Sequence, residues 1–316
     1  MNSKKTPATV KNRSRTAKKK TIINSKTILA LAGAVFILAI IFFLIPKESQ
    51  QWAVSKEGIL SYPENRGKVD VKLLHTETGS NYTLETISFD SREYTVEGLL
   101  RVPLSEIKVP GIVILPGATV TKEGTQYLAG ILSEMGYASI GIEQRNRGGV
   151  NPAYDFELWK QGKEPVEHKM VFDALRATDV LKQDARIDPQ KIAIIGESNG
   201  GRFAIIAAAL DPSISGVIGI STSGYDTESQ IANIRDENIT RFYRSIDPET
   251  YFGLLPPRKL VMMHSVNDTI IPIGIAEKTF EKAKDPKKFY SVTTGTHGFS
   301  EGMRGPLEEE LKAIFG

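Results

Sequence analysis

From residue 111 onward, short apolar runs recur with helical stretches between them, and this alternation constrains the fold more than any other feature of the chain. The runs are GIVIL (111–115), ASIGI (138–142), KIAII (191–195), GVIGI (216–220), KLVMM (259–263) and FYSVT (289–293). They are short, rich in β-branched side chains and nearly without polar alternation, the mark of strands covered on both faces. The intervening stretches 124–135, 166–183, 200–210, 273–284 and 301–315 carry apolar residues at three and four spacing, which predicts helices. The sum is an α/β chain with a mostly parallel central sheet and helices on both faces. Ahead of it, TLETISF and YTVEGLLRV alternate like two half-buried strands around a turn at DSRE, which predicts an antiparallel hairpin at the N-terminal side of the sheet.

Residues 222–257 break the alternation. They are too long for a simple connection and polar with scattered aromatics, and they predict a small helical cap inserted above the carboxyl edge of the sheet. Residues 46–82 show little periodicity and are read as a stalk or an N-terminal extension lying on the domain, which places the catalytic domain at 83–316.

The N-terminus has a different character. Residues 1–27 form a basic tail with nine Lys and Arg and no acid, against a net charge of +3 for the 316 residues, so the remainder is acidic. The apolar run of 18 residues at 28–45 follows, about 27 Å long as a helix at ~1.5 Å per residue, enough to cross the hydrocarbon core of a bilayer. It predicts an uncleaved signal anchor, with the tail cytoplasmic and everything after Pro46 outside the cell membrane. A basic tail joined to a span is a topology signal, and no nucleic-acid partner is expected. The chain has no cysteine, which excludes thiol nucleophiles, thiolate metal sites and disulfides together. No signal sets an oligomeric state.

The chemistry begins at GESNG (196–200), between a strand run and a helix. A Gly-x-Ser-x-Gly sequence there sets its serine on a strained turn that lifts the hydroxyl above the sheet, with the glycines relieving crowding. Ser198 is the candidate nucleophile. The competing reading of Ser198 is a helix N-cap. A serine needs a base, and the base an orienting acid, and on this fold the order is serine, acid, histidine. Of the four histidines only His264 and His297 follow Ser198. His264 ends a strand run and reads as a packed or hydrogen-bonded strand residue. His297, in the glycine-flanked loop TTGTHGF, is the candidate base. The candidate acid is Asp268, in the polar turn after KLVMM, with Asp226 as runner-up. The backbone amides of Ala118, in the turn PGAT after the third strand, and of Asn199 are the candidate oxyanion hole, each such donor contributing on the order of 3–4 kcal/mol.

These residues resemble the α/β-hydrolase superfamily, and within it the dienelactone hydrolase and prolyl oligopeptidase-like branch, over roughly residues 83–315. DARIDPQKIAIIGESNGG resembles the segment leading into that branch's nucleophile, SNGG is similar to the oligopeptidase elbow, HSVNDTIIP looks like the acid loop and THGF the histidine loop. The resemblance implies Ser198 as nucleophile, His297 as base and Asp268 as its orienting acid, with no cofactor and no metal. EQRNRGG (143–149) is similar to the family's arginine-glycine turn, where a structural role is expected. The chain departs from oligopeptidases in having no room for a propeller domain and no tyrosine at PGAT, and from dienelactone hydrolases proper in its serine. The expected activity is hydrolysis of small or medium carboxylic esters, with a peptidase of the prolyl oligopeptidase or acylaminoacyl type second. A non-catalytic binding protein on the same fold is the third reading.

Overall fold

The computed structural model describes residues 51–316. A nine-stranded mixed sheet forms its centre, in the spatial order β11-β10-β9-β8-β6-β7-β5-β4-β3. The six strands β6 (Val109–Leu115), β7 (Ala138–Ile142), β8 (Ile187–Glu197), β9 (Gly216–Ile220), β10 (Lys259–Ser265) and β11 (Lys287–Val292) run parallel. The three strands β3 (Val71–Thr78), β4 (Tyr82–Ser91) and β5 (Tyr94–Pro103) close one edge as an antiparallel meander, joined to β7 through Gly98 opposite Ile142.

The apolar runs are strands because both faces of the sheet are covered. Alternate residues feed two separate cores: Val113, Ile194, Val217 and Met262 enter one, and Ile112, Ile195, Ile218 and Val261 enter the other. Successive side chains on a strand point to opposite faces, so an unbroken apolar run is what a twice-buried strand demands. Helices α3 (Val166–Gln183) and α4 (Asn199–Leu210) fill the first face, and α1 (Gln126–Glu134) and α8 (Arg304–Phe315) the second. Helix α2 (Pro152–Lys160), which no periodicity announced, buries only Asp155 and Trp159; its start is marked by Pro152 and by the Asn151 side chain, which accepts from the Tyr154 amide at 3.1 Å.

The sheet begins earlier than the sequence pattern indicates. Within the stretch read as a stalk or extension, β3 adds an edge strand, and a two-stranded ribbon, β1 (Ala53–Val54) with β2 (Leu60–Ser61), packs against the insertion after β9. Every residue of β3 is exposed, so its sequence carries no burial alternation and only the ladder to β4 defines it. The Leu60 amide donates to Tyr251 Oη at 3.0 Å, and Arg241 donates to the carbonyl oxygens of Val54 and Ser55, both from the insertion.

That insertion is helical, with α5 (Thr227–Ile231), α6 (Glu237–Ile246) and a 3-10 turn at Pro248–Leu254; α7 (Ile273–Lys282) follows β10. No helix among the described residues is long and apolar enough to cross a membrane. The apolar run at 28–45 and the basic tail lie outside the described residues.

Strand order also locates a crevice. From β6 the chain steps to β7 on one side, then returns to place β8 on the other side of β6. At such a reversal the loops after the two strands diverge, and open parallel sheets bind ligands there. Pro116–Gly117–Ala118 follow β6 and Ser198 follows β8.

Candidate active site

Ser198 has φ 52° and ψ −120°, a left-handed conformation held between strand β8 and helix α4. Such a φ on a residue with a Cβ is costly and persists only where the surroundings enforce it. Here the Ser198 amide donates to Ile220 O at 2.9 Å, and the Thr222 hydroxyl donates to Ser198 O at 2.7 Å. The two glycines are required by close approach: a Cβ on Gly196 would collide with the Gly200 carbonyl, and one on Gly200 with the carbonyl oxygen of Leu115. The Ser198 side chain makes no capping bond to its helix, so the N-cap reading does not describe its hydroxyl.

The turn after β6 comes directly against the serine. A Cβ on Gly117 would lie 3.3 Å from that of Ser198. The next residue, Ala118, and Asn199 at the start of α4 carry backbone amides that no hydrogen bond among the described residues uses. Unused donors beside a serine, that of Asn199 at a helix start, suit a developing negative charge. The 3-10 turn Arg145–Gly148 braces this loop: Gln144 Nε2 donates to Pro116 O, the Thr119 amide donates to Arg147 O at 2.7 Å, and Asn199 Nδ2 donates to Gly148 O at 3.0 Å. Arg145 is buried against the Asp173 carboxylate at 2.6 and 3.0 Å, a structural pairing.

Asp268 follows β10 and His297 follows β11, and the structure joins them. His297 Nδ1 lies 2.8 Å from Asp268 Oδ2. The other carboxylate oxygen accepts from the amides of Ile270 and Ile271, both at 2.9 Å. Burial opposes a charge on Asp268, but the Ile271 amide, His297 and the Ile270 amide together hold its carboxyl below the usual carboxylate range. The histidine loop is fixed by Gly295 O, which accepts from Ser265 Oγ at 3.0 Å, and by the Gly298 amide, which donates to Ser221 Oγ at 3.0 Å. Among the described residues, Ser198 and His297 form no hydrogen bond with each other.

The runner-up acid lies elsewhere. Asp226 stands exposed at the start of α5, where Lys282 pairs with it, and makes no contact with His297. His264 is the residue whose proximity the sequence did not reveal. Its Nε2 reaches Ile271 O at 2.7 Å and lies 3.3 Å from Asp268 Oδ2. A carbonyl only accepts, so Nε2 carries the hydrogen and faces the acid with it. Burial lowers the pKa of His264 and keeps it neutral. Its spacing of four residues before Asp268 was the available signal.

The family model for acetyl xylan esterase (AXE1) matches residues 68–251, more than half of the chain. The chain belongs to the acetyl xylan esterase family. The family is one of α/β-hydrolases, and the matched residues start ahead of β3 and include Ser198. Among curated proteins the chain is similar to the uncharacterized protein YfhR of Escherichia coli O157:H7, 27% identical over 171 residues, 50% of this chain and 57% of that protein. It is also similar to the putative hydrolase YtaP of Bacillus subtilis strain 168, 26% identical over 177 residues, 49% of this chain and 56% of that one. The chain thus spans little more than half the length of the curated relatives it matches. Among solved structures, the acetyl xylan esterase from Paenibacillus sp. R4 has a TM-score of 0.61 at 16% identity, covering 78% of this chain and 88% of that chain. The glucuronoyl esterase from Solibacter usitatus has a TM-score of 0.60 at 15% identity, with 84% and 90% covered. At these identities the likeness is one of fold: a mostly parallel α/β-hydrolase sheet with an antiparallel N-terminal edge.

Proposed function

We propose that the chain is a serine carboxylesterase in which Ser198 attacks the ester carbonyl, His297 takes the serine proton and Asp268 orients His297. The observation that carries this reading is the Asp268–His297 pair on the loops after β10 and β11, at the sheet edge where the strained turn holds Ser198. In this scheme the Ser198 proton passes to His297 Nε2 as the acyl–oxygen bond to serine forms. His297 then returns it to the leaving alcohol, and a water deacylates the serine by the same route. The amides of Ala118 and Asn199 hold the tetrahedral oxyanion, and the reaction needs no cofactor.

The names of the relatives support an ester as the bond cleaved, and acetyl or other short acyl esters of sugar hydroxyls are the substrates to try first. The apolar run at 28–45 with its basic flank supports attachment to the cell membrane, with the hydrolase outside. Ser198→Ala should abolish hydrolysis of p-nitrophenyl acetate and labelling by a fluorophosphonate probe without lowering Tm; retained turnover would sink the assignment. For the topology, protease added to intact cells should degrade the hydrolase domain, and full protection would refute it.

A further inference from the structure

Glu197 takes no part in the scheme above, yet its place in the fold is specific. It ends β8 directly before Ser198, paired in register with Ile220 of β9. Its side chain reaches under the histidine loop: a Cβ on Gly298 would lie 2.9 Å from Glu197 Oε2, and Gly298 adopts φ +87° where the loop turns over that carboxylate. The Phe299 amide faces the same carboxylate. Burial raises the Glu197 pKa, opposed first by the Phe299 amide; none of the salt bridges among the described residues engages Glu197. A carboxylate withdrawn from water without a Lys or Arg partner is expensive unless something else requires its charge.

We infer that Glu197 is a positioning residue for His297, a second carboxylate that seats the histidine loop from below and favours the imidazolium that forms when Ser198 gives up its proton. The inference rests on the reading of His297 as the base. Asp268 Oδ2 meets the imidazole at 2.8 Å with the buried His264 on the same oxygen, and Glu197, at the end of β8, lies against the next residue of the loop, Gly298; these are the titratable groups around this site. Asp268 fixes the ring through Nδ1. Glu197 adds negative charge through space and packs against the loop backbone at Gly298. A motif of this kind explains why the residue before the nucleophile is acidic where a small or apolar residue would meet the sterics of the turn as well.

Glu197→Gln separates charge from shape, because the amide oxygen can still accept from the Phe299 amide. In the full chain, the acid limb of kcat/KM for p-nitrophenyl acetate should move to lower pH by on the order of one unit. The value of kcat should fall about tenfold with KM unchanged. The His297 imidazole, followed by NMR and assigned with His297→Asn, should show the same downward displacement whether or not the ester is the true substrate. Glu197→Asp, which keeps the charge, should leave the acid limb within a few tenths of wild type even if its Tm drops. An unmoved acid limb and an unmoved His297 titration in Glu197→Gln overturn the inference, as does an equal shift in Glu197→Asp. Turnover that survives Ser198→Ala would instead remove the parent reading, and the NMR titration still decides the part about Glu197.

Discussion

His297 Nδ1 and Asp268 Oδ2 stand 2.8 Å apart although 28 residues separate them, because β10 and β11 are parallel neighbours and each ends at the same edge of the sheet. Parallel pairing puts the loop after every strand on one side, so an acid after one strand and a histidine after the next meet without special arrangement of either loop. The adjacent carboxylate oxygen is held by two amides, which leaves Oδ2 aimed at the imidazole.

That arrangement makes Asp268→Asn a sharp test. The Asn oxygen can replace Oδ1 toward Ile270 and Ile271, but its amide then presents donors to a nitrogen that already carries a hydrogen. The histidine is driven to the wrong tautomer, and kcat should fall by about 10³–10⁴-fold while Tm changes little. Single-turnover hydrolysis of p-nitrophenyl acetate and a melting curve measure the two effects together.

His264→Phe should act through the same acid. The ring nitrogen that donates to Ile271 O is lost in a fully buried site, leaving that carbonyl unpaired at a cost of about 1–3 kcal/mol. The Ile270–Ile271 segment that clamps Asp268 should loosen with it. Expected are a lower urea midpoint and a reduced kcat; wild-type values for both would show that His264 only fills space.

Gly200→Ala tests the elbow itself. The added methyl meets the carbonyl oxygens of Leu115 and Pro116, backbone atoms that cannot step aside. Overpacking of this kind costs roughly 1–3 kcal/mol or more, and here it pushes the β6 turn away from Ser198. Activity should disappear at a temperature where the protein is still folded, as judged by circular dichroism alongside the esterase assay.

The stability of the domain should fall in acid through His168. This histidine is buried against Trp52 and Trp159, with Nε2 2.7 Å from Ser245 Oγ, and burial pushes its pKa down to about 3. The unfolded chain binds that proton near pH 6.5 and the folded one does not, so the stabilisation is complete above about pH 6.5 and is lost as pH falls toward 3. His168→Gln, which can still bond Ser245 but does not titrate, should show a smaller drop in Tm between pH 7 and pH 5 than wild type. Equal drops would mean that other groups set the acid limit.

Much of this architecture could be read before any coordinates. The strand runs at 138–142 and 216–220 and the helix at 166–183 coincide with β7, β9 and α3, since residues buried on both faces or along one stripe leave a strong pattern. Edge elements did not announce themselves. β3 has no buried face, and α2 buries two side chains, so neither imposes a periodicity, and the sheet starts one strand ahead of the first legible alternation. Asp268 and His297 stood out as acid and base candidates by their order and loop positions, but sequence order could not exclude Asp226, which the fold places at an exposed helix start beside Lys282.

The sequence by itself determined the doubly covered parallel sheet, the strained serine turn and the cast of polar residues at its carboxyl edge, because hydrophobic period and glycine sterics act over a few residues at a time. Only the tertiary structure decided which acid meets His297, that His264 shares that acid, and that Glu197 lies under the histidine loop. Those contacts join residues brought together by strand order, and strand order is a property of how the whole chain crosses the sheet rather than of any local pattern.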